Sequence, residues 1–384
     1  MANISKIKNP TTIQYGEESI NSLPKALKSL KAKKILVITD KSIIQHQLFK
    51  NVMVYVDNHY EYISYDKISG NTDVNIVSEV TSLAIEENVD TIIAIGGGAV
   101  IDTGKVASLK AKNKDEWDWG AYTIKDKEKL NMVAIITTLT STFCNTPFAF
   151  IRDPGKETTR ILTGEGLFPD VAIVDSRLAM TLPYSKKVSA VNTTLSTILE
   201  GYISTLSTPF TDAITLGALE LLMDGINLFL WDENNTKGLE KIQLSGVLAS
   251  YGVNNAMLGI IAATANTICG KYPVDFGEIC GVVMSEYLEL NLYSKLEKFA
   301  KIAKRVITDP EADTMSKELL AKEGLHKMKE LLDKLRCPRT LSELGIQKKD
   351  LPDLAEKIAE DDGLLSCPVI PDSQEILSIL KGLY

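Results

Sequence analysis

The residues best placed to do chemistry in this chain stand at a glycine turn. In IAIGGGAVIDTGK, residues 93–105, an apolar run meets three consecutive glycines, Gly96, Gly97 and Gly98, and an amphipathic segment follows. Glycine lets a backbone approach a ligand closely, and the unpaired N–H groups at a helix start carry partial positive charge. A strand, turn and helix of this composition therefore form an anion site suited to a pyrophosphate. A turn without a ligand needs one or two glycines rather than three. The turn is not a GxxxxGK[ST] phosphate loop, because five residues separate Gly98 from Gly104 and Val106 stands where Ser or Thr is required. It does not match GxGxxG either. Asp40 ends the β-branched run KKILVIT (33–39). An acid there can accept hydrogen bonds from a ribose diol and repel a 2′-phosphate, which favours NAD over NADP. It can equally cap the start of a turn or helix ahead of Lys41 and Ser42.

Histidine, by contrast, is scarce: His46, His59 and His326 are the only three. A zinc- or iron-type ion needs converging imidazole, thiolate or carboxylate groups. Two of the histidines fall in the first half of the chain, and His326 lies in the charged segment GLHKMK. Cys269, Asp275, Glu278 and Cys280 are the alternative donors, but their spacing follows no zinc pattern, and cysteine is often just a small core residue. No metal is expected.

The elements that must position these groups fall into two halves. KKILVIT (33–39), NVMVYV (51–56), DTIIAIGGG (90–98), MVAIITT (132–138) and VAIVD (171–175) read as strands. VNIVSEVTSLAIEENV (74–89) has apolar residues at helical spacing. Alternation of this kind calls for a parallel sheet covered on both faces. Beyond Leu182-Pro183 the chain reads as helix after helix, over 187–230, 239–270, 278–293, 295–306, 314–335 and 373–383. The expected organisation is an α/β domain over 1–183 and an all-α domain over 184–384, consistent with a length of 384 residues, too long for one core.

With 45% apolar and 24% charged residues the composition is globular, and a net charge of -8 opposes binding to phosphate backbones, so no nucleic-acid partner is expected. The lysine runs at 110–114 and 125–129 are interleaved with acids or polar residues and read as solvated faces. No charge occurs between Lys241 and Lys271, but Gln243, Asn254, Asn255 and Asn266 make this a buried helix pair rather than a membrane span. Five cysteines without a CxxC, and no signal peptide at the start, point to the cytoplasm.

GGGAVIDTGK resembles the GGGSxxDxAK signature of iron-containing (group III) alcohol dehydrogenases. TIQYGEESINSLPKAL (12–27), ITTLTSTFCNTPFAFIRD (136–153), FPDVAIVDSRLAMTLP (168–183) and RTLSELGI (339–346) agree with that family too, so the resemblance spans nearly the whole chain. It implies a Rossmann-like dinucleotide domain, a helical domain, an active site in the cleft between them, and hydride transfer between NAD(P) and an alcohol or aldehyde. By the same resemblance Asn71, Asp102, Lys105, Thr137 and Thr138 join Asp40 and Gly96–Gly98 as cofactor contacts, and a homo-oligomer such as a dimer is expected. Asn71, in SGNTD, reads equally well as a loop cap.

Two departures stand against the family pattern. Members hold a divalent metal through one Asp and three His, the first two in a DxxxHxxE pattern. Aligning that Glu with Glu200 puts Thr193 and Thr197 at the first two positions, Ala262 at the third and Phe276 at the fourth, with Asn266 at a proton-relay histidine. The loop PTTxGTGSE becomes ITTLTSTFCN, where Thr140 and Thr142 replace glycines and Phe143-Cys144 replaces Ser-Glu. The expectation is thus a metal-free NAD oxidoreductase acting on a small-molecule substrate. Thr193, Thr197, Asn266 and Tyr272 are its candidate hydrogen-bond donors, and Asp102 and Lys105 could orient the carbonyl side. The alternative is a catalytically silent or regulatory nucleotide-binding homologue.

Overall fold

The structure, a computed structural model, describes residues 7–113, 123–125, 128–307 and 310–384. Residues 114, 126 and 127 of the two lysine runs lie outside it. The chain packs as two compact units, one over Lys8–Leu182 and one over Pro183–Tyr384 together with Ile7.

In the first unit the elements run β1 (Thr12–Tyr15), α1 (Leu23–Ser29), β2 (Lys34–Asp40), α2 (Gln47–His59), β3 (Glu61–Ile68), α3 (Val74–Glu86), β4 (Thr91–Gly96), α4 (Gly98–Lys110), β5 (Asn131–Ile136), β6 (Phe148–Asp153), β7 (Thr158–Thr163) and β8 (Val171–Val174). Among the described residues, six strands form one sheet in the order β1-β8-β5-β4-β2-β3, each paired in parallel with its neighbour. β6 and β7 form a separate antiparallel hairpin.

Strand alternation explains how both faces are covered. Ile35, Val37, Ile93, Ile95, Val133 and Ile135 point to one side, where they bury against Leu23 and Leu27 of α1 and Phe49, Val52 and Val56 of α2. The opposite side receives α4 so closely that a Cβ on Gly104 would stand 3.0 Å from the Ala94 Cβ and 2.8 Å from Met132 Cε. Central strands buried on both faces read as unbroken apolar runs, which is the pattern of TIIAIG and NMVAII.

NVMVYV is a helix, not a strand. Phe49, Val52 and Val56 are the buried residues of α2, at a spacing near 3.6, while Val54 is 61% exposed. The helical period overrides the local β propensity of the valines. The strand expected there is supplied instead by β3, Glu61–Ile68.

The second unit is helical: α5 (Tyr184–Ile203), α6 (Pro209–Trp231), α7 (Thr236–Ala256), α8 (Ile260–Lys271), α9 (Phe276–Asn291), α10 (Leu296–Val306), α11 (Lys317–Lys334), α12 (Leu351–Ala359) and α13 (Ser373–Gly382). The uncharged stretch forms α7 and α8, bent by 100° at the break after Ala256, where Met257 takes φ 61°. Every residue of α8 from Ile260 to Gly270 is buried. Among the described residues, α6 is the single helix that is by itself long and apolar enough to cross a membrane. Its Asp212 and Asp224 pair with Lys298 of α10 and Lys241 of α7.

Candidate functional site

β2 and β4 are neighbours although β3 comes between them in sequence. From β2 the chain moves outward to β3, then returns past β2 and continues the other way through β4 and β5. Open parallel sheets bind nucleotides beyond the carboxyl ends of the strands at such a reversal. Here it is flanked by Asp40, the last residue of β2, and Gly96, the last of β4, just after the register pair Thr39 and Ile95. The ends of β3 and β5 lead on the same edge to Asn71, which is exposed, and to Thr137 and Thr138.

The three glycines do different things. A Cβ on Gly96 would stand 2.4 Å from Val100 Cγ2, and one on Gly97 would stand 2.9 Å from Thr138 Cγ2. A Cβ on Gly98 would meet nothing within 4 Å. Packing therefore demands the first two, while Gly98 borders open space. Gly97 is the N-cap of α4 and has no side chain to close the helix start. First-turn N–H groups lack intrahelical carbonyls, so this end is suited to an anion. The loop after β5 lies beside the turn, with the Thr137 N–H donating to Gly96 O at 3.1 Å. A dinucleotide's pyrophosphate fits these residues.

Asp40 Oδ1 accepts the Ser42 N–H at 2.8 Å and also the Ser42 hydroxyl. That is the capping role, although it caps a turn: α2 begins only at Gln47, with His46 as its N-cap.

Asp102 and Lys105 face the protein interior. Lys105 is fully buried, and its Nζ donates to Phe143 O at 2.5 Å, Phe148 O at 2.7 Å and Thr146 Oγ1 at 3.4 Å. Asp102 Oδ2 accepts the Phe150 N–H at 3.1 Å, and Oδ1 stands 3.8 Å from Lys105 Nζ, an ion pair too long for a hydrogen bond. Burial pushes the Asp102 carboxyl up to about 6 against the pull of Lys105, and burial likewise lowers the Lys105 ammonium. The expectation that this lysine touches cofactor or orients a carbonyl is corrected accordingly: its donors are already engaged by the chain.

In the helical unit, Thr193 and Thr197, which the resemblance sets at the first two metal positions, turn their hydroxyls onto their own helix. Thr193 donates to Ser189 O at 2.9 Å and Thr197 to Thr193 O at 2.7 Å. Neither proton is available to a substrate, the usual outcome for Thr inside a helix. Tyr272 is also engaged, donating to Asp350 Oδ2 and accepting the Gln347 N–H at 3.0 Å. Asn266 differs from these three. It is buried on α8, and its Nδ2 has no hydrogen-bond partner.

The residues do not fit a divalent metal. Thr193, Thr197, Ala262 and Phe276 offer no imidazole, thiolate or carboxylate. The alternative donors serve elsewhere. Cys269 Sγ points to Val274 O at 3.4 Å, Asp275 pairs with Lys186, Asp275 and Glu278 form a reciprocal capping box on α9, and Cys280 is a buried thiol whose pKa burial raises. Among the described residues, no three His, Cys, Asp or Glu side chains gather where an ion could be held. Each histidine has a local role: His46 caps α2, His59 Nδ1 lies 2.8 Å from Tyr55 O, and His326 lies 3.1 Å from Glu330.

Sequence reading passed over Glu200 as a functional group. From α5 its carboxylate accepts the Ile261 N–H at 2.6 Å and the Ala262 N–H at 3.3 Å, thereby closing the start of α8. Burial pushes this carboxyl up to about 7, opposed by the same backbone N–H groups. The signal was a lone acid in the uncharged run TTLSTILEGYIS.

Comparison with known proteins agrees with this architecture. Residues 10–176 match the model of the iron-containing alcohol dehydrogenases, and residues 189–384 match the C-terminal model of the Fe-containing alcohol dehydrogenase family. The chain is 25% identical to the NAD-dependent methanol dehydrogenase of Bacillus methanolicus, over 97% of this chain and 98% of that protein. It is 28% identical to the NADPH-dependent butanol dehydrogenase of Clostridium saccharobutylicum, over 91% and 89%. Among solved structures, a 1,3-propanediol oxidoreductase superposes with a TM-score of 0.93 at 24% identity, with both chains covered in full. Two family models that together take in the glycine turn and the helical unit, over residues 10–176 and 189–384, leave one assignment: the chain belongs to the iron-containing alcohol dehydrogenase family.

Proposed function

We propose that the chain is an NAD-dependent oxidoreductase that interconverts a small alcohol with its aldehyde or ketone, and that it does so without the divalent metal of its relatives. The observation that carries this reading is the open side of Gly98 at an uncapped helix start, on the sheet edge where the strand order reverses. The substrate class follows the relatives, whose names give methanol, butanol and 1,3-propanediol. NAD is favoured over NADP by Asp40, whose charge opposes a 2′-phosphate.

A nicotinamide dinucleotide, when bound, supplies or takes up the hydride. The chain's own part is binding and polarisation. Gly98 and the first turn of α4 hold phosphate, and Thr137 and Thr138 border that turn. Asn266 Nδ2 donates to the substrate oxygen, where negative charge grows as the carbonyl is reduced. Titration with NADH, followed by nicotinamide fluorescence, tests the reading: saturable binding is expected, and none at millimolar cofactor removes it. Binding without turnover of any aldehyde would instead leave a silent nucleotide-binding homologue.

A further inference from the structure

Lys105 joins α4 to the segment after β5 through buried contacts. The segment Thr137–Phe148 carries no regular secondary structure before β6, yet Ser141, Thr142, Asn145 and Thr146 are completely buried. Buried irregular backbone needs partners for its carbonyls. Lys105 supplies two of them from α4, reaching Phe143 O and Phe148 O across 38 and 43 positions of sequence, and touches Thr146 Oγ1 as well. Asp102, one turn earlier on α4, fixes the strand that follows through the Phe150 N–H. Within the segment, Cys144 N–H donates to Ser141 O, Thr146 Oγ1 to Phe143 O and Thr138 Oγ1 to Thr140 O. At its start, Thr138 Cγ2 would meet a Cβ on Gly97 at 2.9 Å.

We propose that Lys105 is a positioning residue: its buried ammonium clamps the Phe143–Phe148 turn, holding Thr137 and Thr138 against the glycine turn before any ligand arrives. This rests on the reading of that turn as the dinucleotide site and extends it. The lysine thus serves the loop, and through the loop the cofactor, with no contact between lysine and phosphate. An ammonium with three donors suits the task, because it satisfies several carbonyls from one point.

The test compares the unaltered protein with Lys105→Met and with the double variant Lys105→Met/Asp102→Asn, which removes both buried charges together. NADH affinity is expected to weaken about tenfold in both, equivalent to about 1.4 kcal/mol of binding free energy, while kcat at saturating NADH changes less than twofold. Chymotrypsin is expected to cleave after Phe143 in the variants and not in the unaltered protein. A folded double variant with undiminished NADH affinity overturns the proposal. Hydrogen exchange on the unaltered, cofactor-free protein is the second measurement, independent of whether the variants fold: amides of residues 139–146 are expected to exchange slowly, and fast exchange overturns the clamp. Should the unaltered protein fail to bind NADH, the dinucleotide reading falls with the cofactor half of the proposal, and exchange and cleavage alone then decide whether the clamp exists.

Discussion

Asn266, Thr193 and Thr197 are all buried polar residues of the helical unit, and they separate by what their hydrogens already do. Both threonine protons go to carbonyls one turn back on α5, whereas Asn266 Nδ2 has no partner. A buried unsatisfied donor costs about 1–3 kcal/mol, a cost that a substrate oxygen placed against it would recover. Asn266→Ala should therefore lower kcat/KM for aldehyde reduction by about a hundredfold, the scale of losing one donor to a developing oxyanion. Thr193→Val and Thr197→Val should change it less than threefold and cost stability only about 1 kcal/mol each, the net worth of one hydrogen bond. Steady-state kinetics of the three variants decides the matter. A severe loss in either threonine variant with Asn266→Ala unaffected would reverse the roles.

At the scale of elements, two glycines of α4 make opposite predictions. Gly104 touches the sheet, so Gly104→Ala should destabilise by about 1–3 kcal/mol through overpacking. Gly98 meets nothing, so Gly98→Ala should leave the thermal midpoint nearly unchanged while weakening NADH binding. Unfolding curves beside fluorescence titrations check both. The start of α8 adds a pH dependence. Glu200 is raised from 4.5 to about 7 by burial, so the folded state holds this proton more tightly than the unfolded chain does. The stability linked to it is complete below 4.5 and is lost as pH rises through 7, a change on the order of 3 kcal/mol. Glu200→Gln should flatten that part of the stability profile, measured by urea unfolding between these values. An unchanged slope would mean that another group carries it. These elements were legible in the sequence to unequal degrees. β2, β4, β5 and β8 stand out because strands buried on both faces are unbroken apolar runs, and the glycine turn stands out because its composition is local. β3 was missed because EYISYDKI mixes charge and tyrosine along the edge of the sheet. The engagement of Lys105 could not be read at all, since its partners lie about 40 positions away and are backbone carbonyls, which any residue carries.

For the molecule as a whole, the expected departure from its family is one of donor chemistry. The fold is retained over its full length, as the superposition on a 1,3-propanediol oxidoreductase shows, yet the four positions that the sequence resemblance sets against the family's metal ligands carry two hydroxyls, a methyl and a phenyl ring. Threonine hydroxyls are weak, neutral ligands, and here their lone protons tie them to the helix. The three histidines of the chain sit in a helix cap, on a helix turn and beside a surface glutamate. A soft divalent ion prefers imidazole and thiolate, so nothing in this set competes for one against a chelator. The purified protein should therefore contain well under one equivalent of zinc or iron per chain by elemental analysis. Aldehyde reduction with NADH should proceed at the same rate after dialysis against EDTA, and added zinc or ferrous salt should not raise it. The thermal midpoint should likewise stay constant across those treatments, since an ion that binds only the folded state would raise it by mass action. A stoichiometric metal whose removal abolishes turnover would mean that ligands are recruited from groups now engaged in caps and helix carbonyls, and the metal-free reading would be lost.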